Sequence, residues 1–479
     1  MTESSTSRTP TDTLGSLSES QRVVVDRVLA GENIFMTGGA GTGKSHIIKA
    51  VMQVLTDRGK IVALTGSTGI SAVNIGGITL HSALGLGLAD EPLEDLLNRA
   101  RKYSLGKKWK QVDLLIIDEI SMVSPEFFEK VEAVLTHVLV DARRRRMGLP
   151  KPFGGLQVLV SGDFFQLPPV IAGAGGSDDD IPLEFCFQHE AFQRAFPPQN
   201  TVVLHEIFRQ DSPEFAAMLA RIRVGNTTDQ DLDTLQTRVQ AAITPPHGIL
   251  PTVMYSYRND VNGYNSEKLT DLPGDATEYN CEFCYSLSEE AAKNRIDESG
   301  RMPAAVRKKF QKVEANIRKN AQVDTVIELK PNAQVLLCAN ISPEAGLVNG
   351  SRGIVKKISA DGLPVVQFAN GAKGVVGPYT WPTRVGREGY VAYTQIPLRL
   401  GWAVTIHKSQ GMTLDYTQID LGSTIFTHGQ AYVALSRART LEGVTVTEFS
   451  PSSFRVHPAV KRYYELLDSA VGDDGGVPE

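Results

Sequence analysis

The chain has 479 residues, 42% of them hydrophobic and 22% charged, with a formal net charge of −5 and an isoelectric point near 6.1. That length suggests about three domains, and the apolar share suffices for several cores, whereas no apolar run approaches the roughly 20 residues of a bilayer span. The bulk acidity argues weakly against nucleic-acid binding but leaves room for a narrow basic channel.

Residues 1–16 are polar, rich in Ser and Thr, lack a leader's apolar segment and are expected to be disordered. A short apolar run, Ile34–Met36, reads as a strand. It leads into Gly38-Gly39-Ala40-Gly41-Thr42-Gly43-Lys44-Ser45, which satisfies every required position of the phosphate loop G-x-x-x-x-G-K-[S/T]. Ile47, Ile48, Val51, Val54 and Leu55 then recur with helical spacing. Glycines let consecutive backbone N–H groups turn toward a phosphate, and the helix start adds its positive dipole end. Lys44 is expected to reach the β- and γ-phosphates and Ser45 to ligate Mg²⁺, so the chain is read as binding ATP with Mg²⁺.

A second strand is expected at Ile61–Thr65, and Leu84–Lys110 then breaks the strand pattern as a small insertion. Leu114-Leu115-Ile116-Ile117 followed by Asp118-Glu119 reads as a buried parallel strand, ending in two carboxylates where open α/β sheets bind ligands. Asp118 suits the Mg²⁺ shell there, and Glu119 suits a general base acting on water. Arg143–Arg146 form a positive cluster that reads equally as a solvated loop. After a strand at Gln157–Val160, the segment Gly162–Val170 puts the neutral amide of Gln166 at a strand tip. From there it can touch a γ-phosphate and lose the contact on hydrolysis. Gly173–Asp180 reads as a mobile acidic loop, and further strands are expected at Val202–Leu204 and Thr252–Tyr257.

Four cysteines in so long a chain point to a reducing compartment. Cys281-x-x-Cys284 has no second pair to complete a metal site and reads as incidental. The charged stretch Arg301–Lys319 reads equally as a solvated helix face. Short strands at Ala333–Cys338, Gly353–Ile358 and Pro364–Phe368, with glycine-rich turns between them, suggest a small β-barrel. Residues 468–479 read as an acidic, disordered tail.

From about Leu17 to Leu467 the chain resembles the petite-integration-frequency (Pif) family of DNA helicases in superfamily 1B, with RecD and Dda-type enzymes as more distant relatives. The resemblance rests on ordered segments besides those above. They are Leu17-Ser18-Glu19-Ser20-Gln21, Leu64-Thr65-Gly66-Ser67-Thr68-Gly69-Ile70-Ser71-Ala72, Leu80-His81-Ser82, Asp118-Glu119-Ile120-Ser121-Met122-Val123 and Pro152-Phe153-Gly154-Gly155-Leu156-Gln157. Further on come Ile207-Phe208-Arg209-Gln210, Leu347-Val348-Asn349-Gly350-Ser351-Arg352-Gly353, Thr405-Ile406-His407-Lys408-Ser409-Gln410-Gly411 and Gly429-Gln430-Ala431-Tyr432-Val433-Ala434-Leu435-Ser436-Arg437-Ala438. The chain departs from the family after Glu132, where Ala133–Val138 replace an arginine-containing helix, and at Gly66 and Ser71, where alanine is usual.

The resemblance implies an α/β fold of two RecA-like domains with parallel sheets, the first over residues 17–195 with a wedge at 84–110 that meets a duplex fork. The second would occupy residues 196–271 and 397–467, interrupted at 272–396 by a helical loop and a barrel similar to Src-homology folds. By the same resemblance Gln21 binds the adenine edge, and Arg209 and Arg437 reach the phosphates from the second domain, where arginine's planar fork stays charged. ATP would close the cleft and hydrolysis would reopen it. Thr65, Ser67, Thr68, His81, Thr405, His407 and Ser409 would line a single-strand channel and contact phosphates without reading bases. The implied activity is ATP-driven 5′-to-3′ translocation on single-stranded DNA by a monomer that unwinds forked duplex, G-quadruplexes and RNA–DNA hybrids; the expected location is the cytoplasm, or the nucleus or mitochondrion for a eukaryotic form. Single-strand-binding protein would be a further partner. A protein-displacing translocase and an RNA-directed enzyme are the alternatives, because phosphate contacts leave the 2′-OH unread.

Overall fold

The computed structural model describes residue 15 and residues 17–86, 89, 91–102, 105–140, 151–169, 184–245, 248–288, 302–321, 323–385 and 388–472. Gly15 apart, the start expected to be disordered lies outside them, as do Arg143–Arg146, Gly173–Asp180 and residues 473–479. The chain divides into two compact units. One comprises Met1–Val239, Leu421–Leu441 and Glu448–Glu479, the other Gln240–Asp420 and Glu442–Thr447.

In the first unit β1 (Ile34–Gly38), β2 (Val62–Gly66), β3 (Ile78–Thr79), β4 (Leu114–Asp118), β5 (Gln157–Gly162) and β6 (Thr201–Leu204) form one six-stranded sheet. Their order is β3-β2-β4-β5-β1-β6, and each neighbouring pair is parallel. Residues alternate between the two faces, as strand geometry requires. Ile34, Met36, Leu114, Ile116 and Leu159 pack toward α1 (Glu19–Leu29) and α2 (Lys44–Asp57). Phe35, Leu115, Ile117, Val158 and Val160 join the opposite core, which holds α3 (Pro125–Leu139). Burial on both faces explains why these strands read as continuous apolar runs. Ser124 caps α3 by accepting from Phe127 N at 3.2 Å, and the helix runs unbroken through Ala133–Val138.

Two expected boundaries are corrected. The strand at 201–204 does not open a second domain: β6 pairs with β1, Phe35 opposite Thr201, and forms the edge of the first sheet. Nor do the helices expected in a second domain fall in the second unit, although residues 397–420 and 442–447 do. α4 (Pro213–Arg223), α5 (Gln430–Leu435) and α6 (Pro458–Gly472) all lie in the first unit. The reason is apolar packing, since Val460, Tyr464 and Leu467 are buried in the core that holds Phe35 and Phe192, and Tyr463 stacks on Phe187 at 4.2 Å. Because α6 continues to Gly472, the tail expected from residue 468 starts later. Between β3 and β4, helices Leu93–Lys102 and Leu105–Trp109 occupy the 84–110 stretch, with Leu96, Ala100 and Trp109 in that same core.

The second unit contains a sheet in the order Ala403–Thr405, Thr252–Tyr255, Thr417–Leu421, Val444–Phe449, whose first two pairings are parallel. The inserted region carries an antiparallel five-stranded sheet in the order Lys373–Val375, Pro364–Phe368, Arg352–Ile358, Gln334–Leu337, Leu398–Leu400. Its last strand lies past the expected limit at 396, because Leu398 pairs with Leu337. Helix Ala304–Asn320 packs Val306 and Phe310 on Val385 and Val391 of a separate three-stranded sheet. Cys281 and Cys284 are free thiols, the first half-buried and the second exposed.

Candidate active site

Parallel strands bring β1, β4 and β5 to one edge by their carboxyl ends, and each delivers a motif there. At the end of β1 the backbone of Gly41 and Gly43 is left-handed, with φ of 84° and 82°. A Cβ on Gly41 would fall 2.6 Å from Arg209 Cβ, and one on Gly43 would fall 2.5 Å from Gln21 Nε2. The left-handed conformation disfavours a side chain at both positions, and at Gly41 the Arg209 Cβ leaves no room for one. Lys44 Nζ donates to the carbonyls of Gly38 at 2.7 Å and Gly39 at 2.8 Å, and Ser45 is exposed in the first turn of α2. Burial lowers the Lys44 pKa, while the charges of Asp163 and Glu119 oppose that shift. Gln21 has a task its position did not suggest: its Nε2 donates to Thr42 O at 3.2 Å, and its Oε1 accepts from Ser18 N at 3.1 Å. It therefore braces the phosphate loop from α1.

Asp118 ends β4 and is buried, and Glu119 follows in a left-handed conformation, φ 55° and ψ 51°. A non-glycine residue there costs on the order of 1–3 kcal/mol and is characteristic of functional sites. Burial, and then the neighbouring Asp118 charge, push Glu119 up to about 7. Burial also raises Asp118. A carboxyl held near neutrality is suited to proton transfer, and two desolvated carboxylates call for a cation.

Arg209 and Arg437, expected on a second domain, both lie in the first unit. Phe208 N donates to Gly41 O at 2.9 Å, and Asp211 N donates to Arg439 O at 3.2 Å, so this segment joins the phosphate loop to the chain after α5. Arg209 Nη1 donates to Ser436 O at 3.1 Å. Arg437 is only 1% exposed and donates from Nε to Val433 O at 2.9 Å and from Nη2 to Ser436 Oγ at 2.7 Å. Burial, then the adjacent Arg209 charge, lower the Arg437 pKa, and Glu119 acts in the opposite sense on both arginines. Two neighbouring guanidiniums, one buried and one half-buried, repel one another, and an anion between them relieves the repulsion.

Gln166 is buried after β5 and donates from Nε2 to Asp163 Oδ2 at 3.3 Å. Asp163 also accepts both Nε and Nη2 of Arg223, each at 2.8 Å. Tyr432 accepts from Ala40 N at 2.8 Å, and the Tyr464 hydroxyl lies 3.4 Å from Asp163 Oδ1. Asp163, Arg223, Tyr432 and Tyr464 were not among the expected site residues. Asp163 and Tyr432 lie inside the segments that carry the resemblance, whereas nothing local marks Arg223 or Tyr464. Phe208, half of its surface exposed, would lie 3.8 Å from a Cβ on Gly43 and offers an aromatic face beside Gln21.

The expected strand contacts divide. Thr65 is fully buried, its hydroxyl donating to Ile116 O at 2.6 Å, and Ser409 is fully buried, donating to Ile406 O at 2.8 Å. Both side chains are internal to the fold, which leaves only the backbone of these residues to meet a strand. Thr405 is buried and caps the helix Ile406–Ser409 by accepting from Lys408 N at 3.1 Å. Thr68 is half-buried and exchanges hydrogen bonds with Ser71, and Ser67 N donates to Asp118 O at 3.0 Å. His81 stacks on Phe127, ring centres 3.8 Å apart, and His407 is half-buried. Among the expected ligands, Ser67, Thr68, His81 and His407 are only partly buried as residues, although the Ser67 hydroxyl is itself buried.

The parallel sheet, the phosphate loop and the carboxylate-tipped strand define a P-loop α/β protein. A family profile described as PIF1-like helicase matches residues 16–233, and one described as the 2B domain of DNA helicase Pif1 matches residues 314–358. The ATP-dependent DNA helicase PIF1 of Xenopus laevis is 38% identical over 457 residues, covering 94% of this chain and 64% of that protein. The chain thus spans under two thirds of that relative's length. A crystal structure of Pif1 helicase from Candida albicans matches with a TM-score of 0.72 at 33% identity, covering 94% of this chain and 99% of that one. Pif1 helicase from Bacteroides in complex with ADP-AlF3 and single-stranded DNA matches with a TM-score of 0.61 at 28% identity, covering 95% and 97%. The chain belongs to the Pif1-like helicase family.

Proposed function

We propose that this chain is an ATP-dependent DNA helicase that moves 5′ to 3′ along single-stranded DNA and opens duplex ahead of it. The observation that carries the reading is the convergence in one unit of a phosphate loop, the Asp118 and Glu119 carboxylates at a strand tip and two arginines, Arg437 buried and Arg209 half-buried. Lys44 leaves its loop carbonyls for the β- and γ-phosphates of ATP, Glu119 takes a proton from the attacking water, and Arg209 and Arg437 neutralise charge that builds in the transition state. Gln166 senses the γ-phosphate. Adenine stacks against Phe208 and takes the remaining hydrogen-bonding capacity of Gln21. Mg²⁺ is held with few protein ligands and keeps several waters. The Asp118 carboxylate and the Ser45 hydroxyl are a hard-oxygen pair of that kind, and when bound the ion neutralises phosphate charge.

The family resemblance supports the direction of movement, the wedge role of 84–110, single-strand-binding protein as a partner, action as a monomer, and the wider substrates, G-quadruplexes and RNA–DNA hybrids. No helix of the described residues is long and apolar enough to cross a membrane. The test is ATP hydrolysis with and without single-stranded DNA. Stimulation by DNA, abolished in Lys44→Ala, is the expected result. Stimulation by RNA alone would transfer the activity to RNA, and wild-type turnover in Lys44→Ala would refute the site.

A further inference from the structure

We propose that Arg223 is a positioning residue for ATP hydrolysis, holding Gln166 and the roof of the phosphate loop through Asp163. The inference rests on the ATPase reading above. Arg223 closes α4 and grips both oxygens of Asp163, Nε to Oδ2 and Nη2 to Oδ1, each at 2.8 Å. Asp163 is fully buried, and its carboxylate also accepts from Phe165 N at 3.2 Å and Gln166 Nε2 at 3.3 Å. The orientation of that carboxylate therefore sets the orientation of the sensing amide.

The guanidinium is itself fixed from two further directions. Its central carbon lies 4.6 Å from the Phe165 ring centre and 5.3 Å from that of Tyr464. Tyr464, on α6, shares a hydrogen bond of 2.5 Å with Thr37 Oγ1 and accepts from Phe164 N at 3.3 Å. Thr37 immediately precedes the phosphate loop. A Cβ on Gly39 would lie 3.2 Å from the Tyr432 hydroxyl and 3.6 Å from Arg223 Cδ, so Tyr432 and Arg223 roof the loop together.

A lone buried ion pair would need only opposite charges. Here a planar fork serves two oxygens that in turn hold an amide and a backbone N–H, which is a geometric task that lysine's single point charge does not perform. The segment from Arg209, which donates to Ser436, through α4 to Arg223 is continuous chain.

The test uses the full chain with Arg223→Lys, Asp163→Asn and the milder Tyr464→Phe. ATP turnover on poly(dT), binding of a fluorescent ADP analogue and thermal melting are measured on each. Arg223→Lys is expected to lower kcat about 10- to 100-fold while KM and ADP affinity stay within about threefold, the signature of misplaced rather than missing groups. Combining Arg223→Lys with Asp163→Asn is expected to be no worse than the poorer single variant, because both act through one carboxylate. Unchanged kcat in Arg223→Lys, or a loss that merely follows the melted fraction, would overturn the proposal. Wild-type protein and Glu119→Gln run alongside. If wild type turns over and Glu119→Gln does not, a negative Arg223→Lys result sinks this inference alone. If wild type fails to hydrolyse ATP, both readings fall.

Discussion

Glu119 is the residue whose environment says most about mechanism. Burial and the Asp118 charge hold its carboxyl near 7, well above the ordinary glutamate range. A general base acts in its deprotonated form, so activity is lost as pH falls through the raised pKa. kcat/KM for ATP is expected to drop about tenfold per pH unit below roughly 7. Glu119→Gln is expected to bind nucleotide normally and hydrolyse it about 10²- to 10⁴-fold more slowly, with that acid limb gone. A pH–rate series on both proteins checks this, and an unchanged limb in the variant would assign the titration elsewhere. Arg437→Ala is expected to cut turnover about 10³-fold or more while barely altering ADP affinity, measured by fluorescence titration. Lys44, Ser45, Asp118 and Glu119 were legible because their chemistry is written in contiguous motifs. Arg223 and Tyr464 were not, because they meet Asp163 across 60 and 301 residues of sequence. The burial of the Thr65 hydroxyl was not legible, because a hydroxyl in a motif carries no sign of which side of the sheet it faces.

At the scale of elements, α6 is the part that sequence patterning placed wrongly. Its apolar residues are ordinary for any amphipathic helix, and only the assembled first unit shows that Val460, Tyr464 and Leu467 fill its core. Leu467 is 1% exposed, and Leu467→Ala is expected to cost about 2–5 kcal/mol of stability. Denaturant unfolding measures it, and a near-neutral result would contradict the helix's place in that core. β6 was recognised as a strand, but its partner was not, because a four-residue apolar run fits the edge of one parallel sheet as well as the start of another. The central strands were read within a residue or two, since burial on both faces leaves an unbroken apolar signature. In the inserted region, glycine-rich turns exposed the antiparallel strands. Leu398–Leu400 escaped because its pairing with Gln334–Leu337 bridges a long intervening stretch.

For the whole molecule, the candidate nucleotide site sits in one compact unit that the C-terminal helices complete, and the proposed function puts that site in the service of DNA unwinding. The most direct test of that claim is strand displacement on two partial duplexes, one with a 5′ single-stranded tail and one with a 3′ tail, with ATP and Mg²⁺ and with Glu119→Gln as control. The account predicts that only the 5′-tailed substrate opens and that the variant opens neither. Opening of the 3′-tailed substrate, or DNA-stimulated hydrolysis with neither duplex opened, would contradict it.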